Sequence, residues 1–132
     1  MNPIDKIAWI LIQNRKVLYV RTVSKELFYN AGGKREGSET DKQALIREIK
    51  EELNVDLVPE SIEYLETFSA QAAGKPEGVM VEIKCYQARY HGLLTPVGEI
   101  EELAWFTSDD MERTSITGQL TLAYLKEHNL ID

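Results

Sequence analysis

The chain has a single cysteine, Cys85, among 132 residues, so no intrachain disulfide can brace it. That cysteine lies in the apolar alternation "VMVEIKCY", where a buried structural thiol is expected rather than a catalytic one. No apolar run is long enough to span a bilayer, and Asp5 and Lys6 interrupt the N-terminus before a signal-peptide core could form. A soluble, cytoplasmic protein is the expectation. Positive charge is also scarce: 15 basic residues stand against 22 acidic ones, for a formal charge of −7. This excludes nonspecific binding to nucleic-acid backbones, which needs a basic face, and no stable nucleic-acid complex is expected. A small phosphorylated ligand is not excluded, because divalent cations can lie between a polyanion and an acidic protein. Repeats, low-complexity tracts and linkers are absent as well, so residues 1–132 read as one domain.

What is present is ordinary globular usage, 43% hydrophobic and 28% charged. "KIAWILIQ" (6–13) and "KVLYVRTV" (16–23) are rich in β-branched and aromatic residues and are separated by Asn14-Arg15, the spacing of a hairpin. Gly32-Gly33 permits a backbone turn closed to other residues. Thr40 and Gln43 fit a capping box, predicting a helix from there to Leu53 or Asn54. Residues 55–61 read as a connection. Two further strands are expected in "IEYLETFSAQA" and "GVMVEIKCYQARY", joined by a Gly- and Pro-bearing turn over 73–78. A loop over 91–98 precedes "EIEELAWF", whose last residues suggest a short strand. In 115–128, Ile116, Leu120, Ala123 and Tyr124 have the spacing of an amphipathic helix. The fold class is α/β (α+β), a mixed sheet with a helix on each side.

The predicted helix stacks acid on one side. At 100° per residue Glu48, Glu51 and Glu52 fall within one arc, and Asp41, two turns earlier, points the same way. Leu45, Ile46, Ile49 and Leu53 form a separate apolar stripe for docking on the sheet. Arg47 can pair with Glu51 at i,i+4, but one arginine cannot neutralise three carboxylates. A solvated acidic face would produce this pattern at little cost. So would a carboxylate cluster for a hard divalent cation, which takes oxygen ligands.

Read together, Gly33, five residues, Glu39, seven residues and then "REIKEELNV" resemble the Nudix box. Gly33, Glu39, Arg47, Glu48, Ile49, Glu51, Glu52 and Val55 fall in place. Asn54 stands where the family usually has glycine, and Asn is the residue other than Gly that best tolerates a left-handed helix end. Ala31 replaces the usual proline before the two glycines. The resemblance implies an αβα sandwich and hydrolysis of the diphosphate in a nucleoside diphosphate linked to another moiety, with Mg²⁺ or Mn²⁺. It implies metal ligation by Glu48, Glu51, Glu52 and the Gly32 carbonyl, orientation of the glutamates by Arg47, and a structural or outer-shell role for Glu39. Lys34 and Glu36 would sit beside the pyrophosphate.

The family often uses a fourth carboxylate beyond the box. Of Glu99, Glu101 and Glu102, Glu99 is the first choice as ligand or base, and alternation should send one of the other two to solvent. Among the aromatics, Phe28 and Tyr29 border the glycines and are the candidates to stack on a base. Trp9, Phe68 and Trp105 read as core, and His91 and His128 as non-catalytic. A small nucleotide such as a (deoxy)nucleoside triphosphate is the expected substrate. ADP-ribose or another nucleotide sugar, and a non-catalytic nucleotide-sensing domain, are the alternatives. "FSAQAA" lacks the Pro or Tyr of ADP-ribose and dinucleoside polyphosphate enzymes. Isoprenoid diphosphate isomerisation would need a catalytic cysteine, and cap removal has no basic surface to favour it. A homodimer is left open.

Overall fold

Asn14 and Arg15 both adopt left-handed backbone, with φ of 53° and 61°. A two-residue turn of the I′ kind requires this, and its twist matches that of the flanking strands. The computed structural model, which describes residues 2–132, builds the expected hairpin there. The first strand is not continuous, however. It divides into β1 (Ile4–Trp9) and β2 (Ile12–Gln13), and only β2 pairs with β3 (Lys16–Thr22). At Ile10 and Leu11 the chain changes partners. The Ile10 N–H donates to Tyr86 C=O, whereas the Leu11 carbonyl accepts from Leu18.

The glycines form no turn either. They make a short strand, β4 (Gly32–Lys34), antiparallel to β1 with Gly32 opposite Ala8 and Gly33 opposite Ile7. Helix α1 (Asp41–Leu53) follows, then β5 (Asp56–Leu57), a 3₁₀ turn (Pro59–Ser61), β6 (Glu63–Gln71), β7 (Met80–Gln87) and β8 (Tyr90–His91). β9 (Ile100–Phe106) is longer than the sequence suggested, and a six-residue 3₁₀ segment (Ser108–Arg113) leads to α2 (Ile116–Glu127). One mixed sheet has the order β4-β1-β7-β6, with β1 and β7 parallel; a second has β2-β3-β9; β5 and β8 make a two-residue ladder.

Strands β1 and β3 carry continuous apolar runs, Ile7 to Trp9 and Val17 to Val20, because both of their faces are covered there. Ile7, Trp9, Leu18 and Val20 pack with Leu45, Ile49 and Leu53 of α1. Their alternate neighbours Ala8, Ile10, Val17 and Tyr19 pack with Leu122 and Leu125 of α2. This is the αβα sandwich. The three α1 residues are wholly buried, each worth roughly 1.5–3 kcal/mol. The capping box is present in both directions at Thr40 and Gln43, and Asn54 ends the helix at φ 55°, ψ 35°.

For α2 the helix is as expected, but its buried face is not. Gly118, Thr121, Leu122 and Leu125 face the sheet, while Ile116, Leu120 and Ala123 are exposed. Gly118 decides this rotation. Its carbonyl accepts from the buried Tyr19 hydroxyl at 2.6 Å, and a Cβ there would stand 3.0 Å from Thr114 and 3.1 Å from the Tyr19 ring.

Candidate active site

Two glycines bring β4 and α1 closer than side chains would allow. A Cβ at Gly32, where φ is +146°, would lie 2.1 Å from the Ile7 carbonyl oxygen, and one at Gly33 2.6 Å from Glu48 Oε2. Trp9 and Ala31 are a bonded pair of the β1·β4 ladder, so the peptide groups of Gly32, one position on, face away from β1. The Gly32 N–H accordingly donates to Glu52 Oε1 at 2.9 Å. Its carbonyl emerges on the same edge.

Arg47 organises the remaining acids. Nε and Nη2 grip both oxygens of Glu39, at 2.8 and 2.9 Å, in the bidentate geometry that suits guanidinium and carboxylate. Nη1 donates to Glu48 Oε1 at 2.9 Å and reaches Glu51 Oε2 at 3.3 Å, while Nη2 also donates to the Lys34 carbonyl at 3.1 Å. Glu39 is held down to about 2, first by Arg47 and then by the Glu36 N–H. The Glu36 carboxylate itself is exposed, 3.7 Å from Arg47.

Glu48 is raised by burial, which outweighs Arg47. Glu52 is pushed up to about 8. Burial is the main cause, opposed by the Gly32 N–H and reinforced by Glu48, Glu51 and Glu99. Arg47 offsets part of the charge of Glu48 and Glu51, while Glu52 has the Gly32 N–H but no salt bridge. Among the described residues no three acidic, His or Cys side chains converge as a finished metal cage. Glu52 is turned to Gly32, and Glu51, with 58% of its side chain exposed, leans to Arg47.

Glu99 arrives by a route that the sequence only hinted at. The loop before it folds onto the C-terminal end of α1, where Val97 N–H donates to Glu52 C=O at 2.9 Å and Thr95 N–H to Leu53 C=O at 3.0 Å. These bonds satisfy carbonyls that a helix end leaves open. They also set Glu99 next to the glutamates of that same turn. Glu101 and Glu102 go elsewhere. A register shift opposite Arg21 and Thr22 breaks the alternation, so both acids reach Arg21, at 3.1 and 2.8 Å, and both rather than one remain exposed. Asp41 also lies outside the cluster: its carboxylate is bonded by Arg35 and by the Tyr86 hydroxyl.

A cavity of about 630 Å³ opens beside Gly32 and Gly33, walled by β1, β7, the start of α2 and the segment from Thr22 to Asn30. Tyr29 and Lys34 line it. Tyr29 is partly buried, its hydroxyl bonded to Thr22 at 2.6 Å, and it feels Glu52, Glu99 and Glu48. Phe28 does not line it. That ring is 4% exposed, lies 4.9 Å from Phe106 and is covered by Arg113, so it belongs to the core and has no free face for a base. Trp9 is buried, Phe68 packs on Tyr124, and His128 stacks on Tyr124 at 4.0 Å. Cys85 is buried, and burial pushes its thiol up to about 12, so it is inert as a nucleophile.

Sequence reasoning gave no sign of Lys6, which lines the cavity from β1. It gave none of the link from Arg35 to Asp5 at 2.9 Å, which ties the segment before α1 to β1. Both depend on which strand lies beside which.

A search of the curated proteins returned no match to this sequence. Solved structures do share its fold. The MutT NUDIX hydrolase from Burkholderia pseudomallei superposes with a TM-score of 0.77 at 22% identity, covering 93% of this chain and 98% of its own. The E. coli ORF135 protein gives 0.73 at 24% identity, covering 96% and 92%. A UDP-X diphosphatase gives 0.71 at 16%, covering 98% of this chain and 64% of its own. The NUDIX domain profile matches residues 4–124, nearly the whole sandwich with the glutamate helix at its centre. This chain therefore belongs to the NUDIX domain family and is a hydrolase of pyrophosphate bonds.

Proposed function

We propose that the protein hydrolyses, with Mg²⁺ or Mn²⁺, the diphosphate of a small nucleotide such as a (deoxy)nucleoside triphosphate, or of another nucleoside diphosphate derivative. The observation that carries this reading is the nearness of Glu48, Glu51 and Glu99 to Glu52, close enough for their charges to raise it, beside the Gly32 peptide that also lines a ligand-sized cavity. The donors are all carboxylate or carbonyl oxygen, the set that Mg²⁺ and Mn²⁺ prefer, and a cation would relieve the field that raises Glu52.

Glu48, Glu51, Glu52, the Gly32 carbonyl and Glu99 are the groups that would hold it. When bound, the cation neutralises phosphate oxygens and lowers the pKa of the attacking water. Arg47 fixes Glu48 and Glu51 while Glu39 fixes Arg47, so the ligands are oriented before substrate arrives. Gly33 leaves room for the Glu48 carboxylate against the strand. Glu99 lies outside the grip of Arg47 and serves either as a further ligand or as the base that takes the water's proton. Water oxygen bonds to one phosphorus, the bond from that phosphorus to the bridging oxygen breaks, and the bridging oxygen leaves on the other phosphate. Lys34 and Glu36 flank the site at the start of the β4–α1 connection, with Lys34 placed to meet phosphate oxygens. Tyr29 rather than Phe28 is the aromatic available to the rest of the substrate.

The test is a panel of canonical and oxidised nucleotides, ADP-ribose and dinucleoside polyphosphates, assayed with Mg²⁺ for released phosphate or pyrophosphate. Hydrolysis of at least one class, abolished by excess chelator, is expected. Full turnover in chelator would refute the metal requirement.

A further inference from the structure

The cavity beside the glutamates has the wrong charge for this chain. The protein carries −7 overall, yet Lys6, Lys25, Lys34 and Lys75 line this one cavity against a single acid, Glu26. Five of the arginines, Arg15, Arg21, Arg35, Arg47 and Arg113, each have a carboxylate partner, and exposed lysines such as Lys16 and Lys126 stand in solvent. Among the described residues none of the four cavity lysines has a carboxylate at salt-bridge distance.

Lys6 is the informative one. It is partly buried on a floor otherwise made by Ile4, Ala8, Val81 and Ile83, and its cross-strand partner in the β1·β4 register is Lys34. Like charges directly opposite on a sheet repel; burial and Lys34 both disfavour the Lys6 ammonium, and Glu52, whose charge favours it, forms no salt bridge with it. Lys25 and Lys75 reach the same space from two separate connections, Ser24–Leu27 and Ala72–Lys75. The N-cap Ser115 and the first residues of α2, Ile116 and Thr117, complete the wall with the positive end of a twelve-residue helix.

We propose that this cavity contains a phosphomonoester subsite centred on Lys6, so that the substrate carries a phosphate on the group entering the cavity, in addition to the diphosphate that is cleaved. A phosphomonoester, with close to two negative charges and three acceptor oxygens, can satisfy several ammonium groups together, which one carboxylate cannot. The metal-holding glutamates and this subsite are distinct surfaces of one site. The proposal relies on the hydrolase reading only for the diphosphate half of the substrate.

The subsite can be read without turnover. Inorganic phosphate is titrated into chelator-treated protein, where the glutamates repel anions, and lysine side-chain NMR signals are followed. Saturable one-to-one shifts centred on Lys6 are expected. Lys6→Met, unbranched like lysine and able to pack on the apolar floor, should weaken phosphate binding about tenfold, the scale of one charge-assisted hydrogen bond. Lys42→Met, on the exposed side of α1, should not change it. Should Lys6→Met fail to fold, Lys75→Met serves, with a smaller loss expected. Shifts spread equally over lysines outside the cavity, or unchanged binding in the folded variant, overturn the subsite and leave the hydrolase reading intact. With Mg²⁺, NADP⁺ and NAD⁺ then differ by a single phosphomonoester. A kcat/KM about tenfold higher for NADP⁺, lost in Lys6→Met, supports the substrate class. No preference, or no turnover of either while the nucleotide panel is hydrolysed, overturns it. Phosphate binding at Lys6 without hydrolysis of any diphosphate would instead sink the hydrolase reading alone.

Discussion

Glu52→Gln should move stability in opposite directions with and without a divalent cation. The amide keeps the shape, and its oxygen can still accept the Gly32 N–H that Glu52 Oε1 accepts at 2.9 Å. What it removes is a charge that the folded protein tolerates poorly. Burial and the neighbouring acids raise Glu52 from 4.5 to about 8. A carboxyl raised in the folded state makes no difference below about pH 4.5, where folded and unfolded chains are both protonated. From there to about pH 8 the unfolded chain releases a proton that the folded one retains, so stability falls; above pH 8 the deficit is constant. At roughly 1.4 kcal/mol per pH unit the deficit has a ceiling of about 5 kcal/mol. Solvent at the open edge of the site reduces this to about 2 kcal/mol, or roughly 6 °C for a domain of this size. Thermal unfolding in chelator should show Glu52→Gln level with wild type at pH 4.5 and more stable by that amount at pH 8.5. With cation at about a hundred times its Kd, wild type gains about 2.7 kcal/mol by linkage and the order reverses. A variant less stable than wild type in chelator at pH 8.5 would refute the argument, since it would mean that the ionised carboxylate is already compensated within the protein.

Metal binding should release protons below pH 8, because Glu52 must ionise to become a ligand; calorimetry in buffers of different ionisation heat reads this, and a buffer-independent heat would contradict it. Glu51→Gln should lower kcat by about two orders of magnitude or more, whereas Asp56→Asn, an exposed acid paired with Lys50 at 3.2 Å, should leave kcat near normal; equal losses would mean that net charge was being measured. Gly33→Ala should cost activity far more than stability, because its φ is not in the left-handed region and the clash falls on the mobile Glu48 carboxylate; a melting temperature lowered as much as by a core truncation would place the strain in the backbone instead. Glu99→Gln should lower kcat strongly with KM nearly unchanged, while Glu101→Gln and Glu102→Gln, which only loosen Arg21, should not; a large loss in a control with normal Glu99→Gln moves the role to that neighbour.

The helix could be read from its sequence because its information is local. Thr40, Gln43 and Asn54 act within one turn of backbone, and the 3.6-residue period alone puts the glutamates on a face beside the Leu45–Ile49–Leu53 stripe. The spacing of the box was legible for the same reason, as were the Asn14-Arg15 hairpin and the buried Cys85. Contacts between distant segments decided the rest. The glycines became a strand because β1 lies beside them, and the first apolar run split because its two halves pair with different strands. Phe28 left the site for the core because Phe106 and Arg113 cover its ring. Gly118 against Tyr19 set the rotation of α2. Nothing local distinguishes Lys6 from any lysine on a strand; only the packing of β4 and β7 on either side of β1 makes it a partly buried cation facing Lys34 at the floor of a cavity. A carboxylate's ionisation is equally non-local, since Glu52 is raised first by burial under distant segments and then by neighbouring acids that include Glu99, which the chain delivers by bonding its loop to the end of α1.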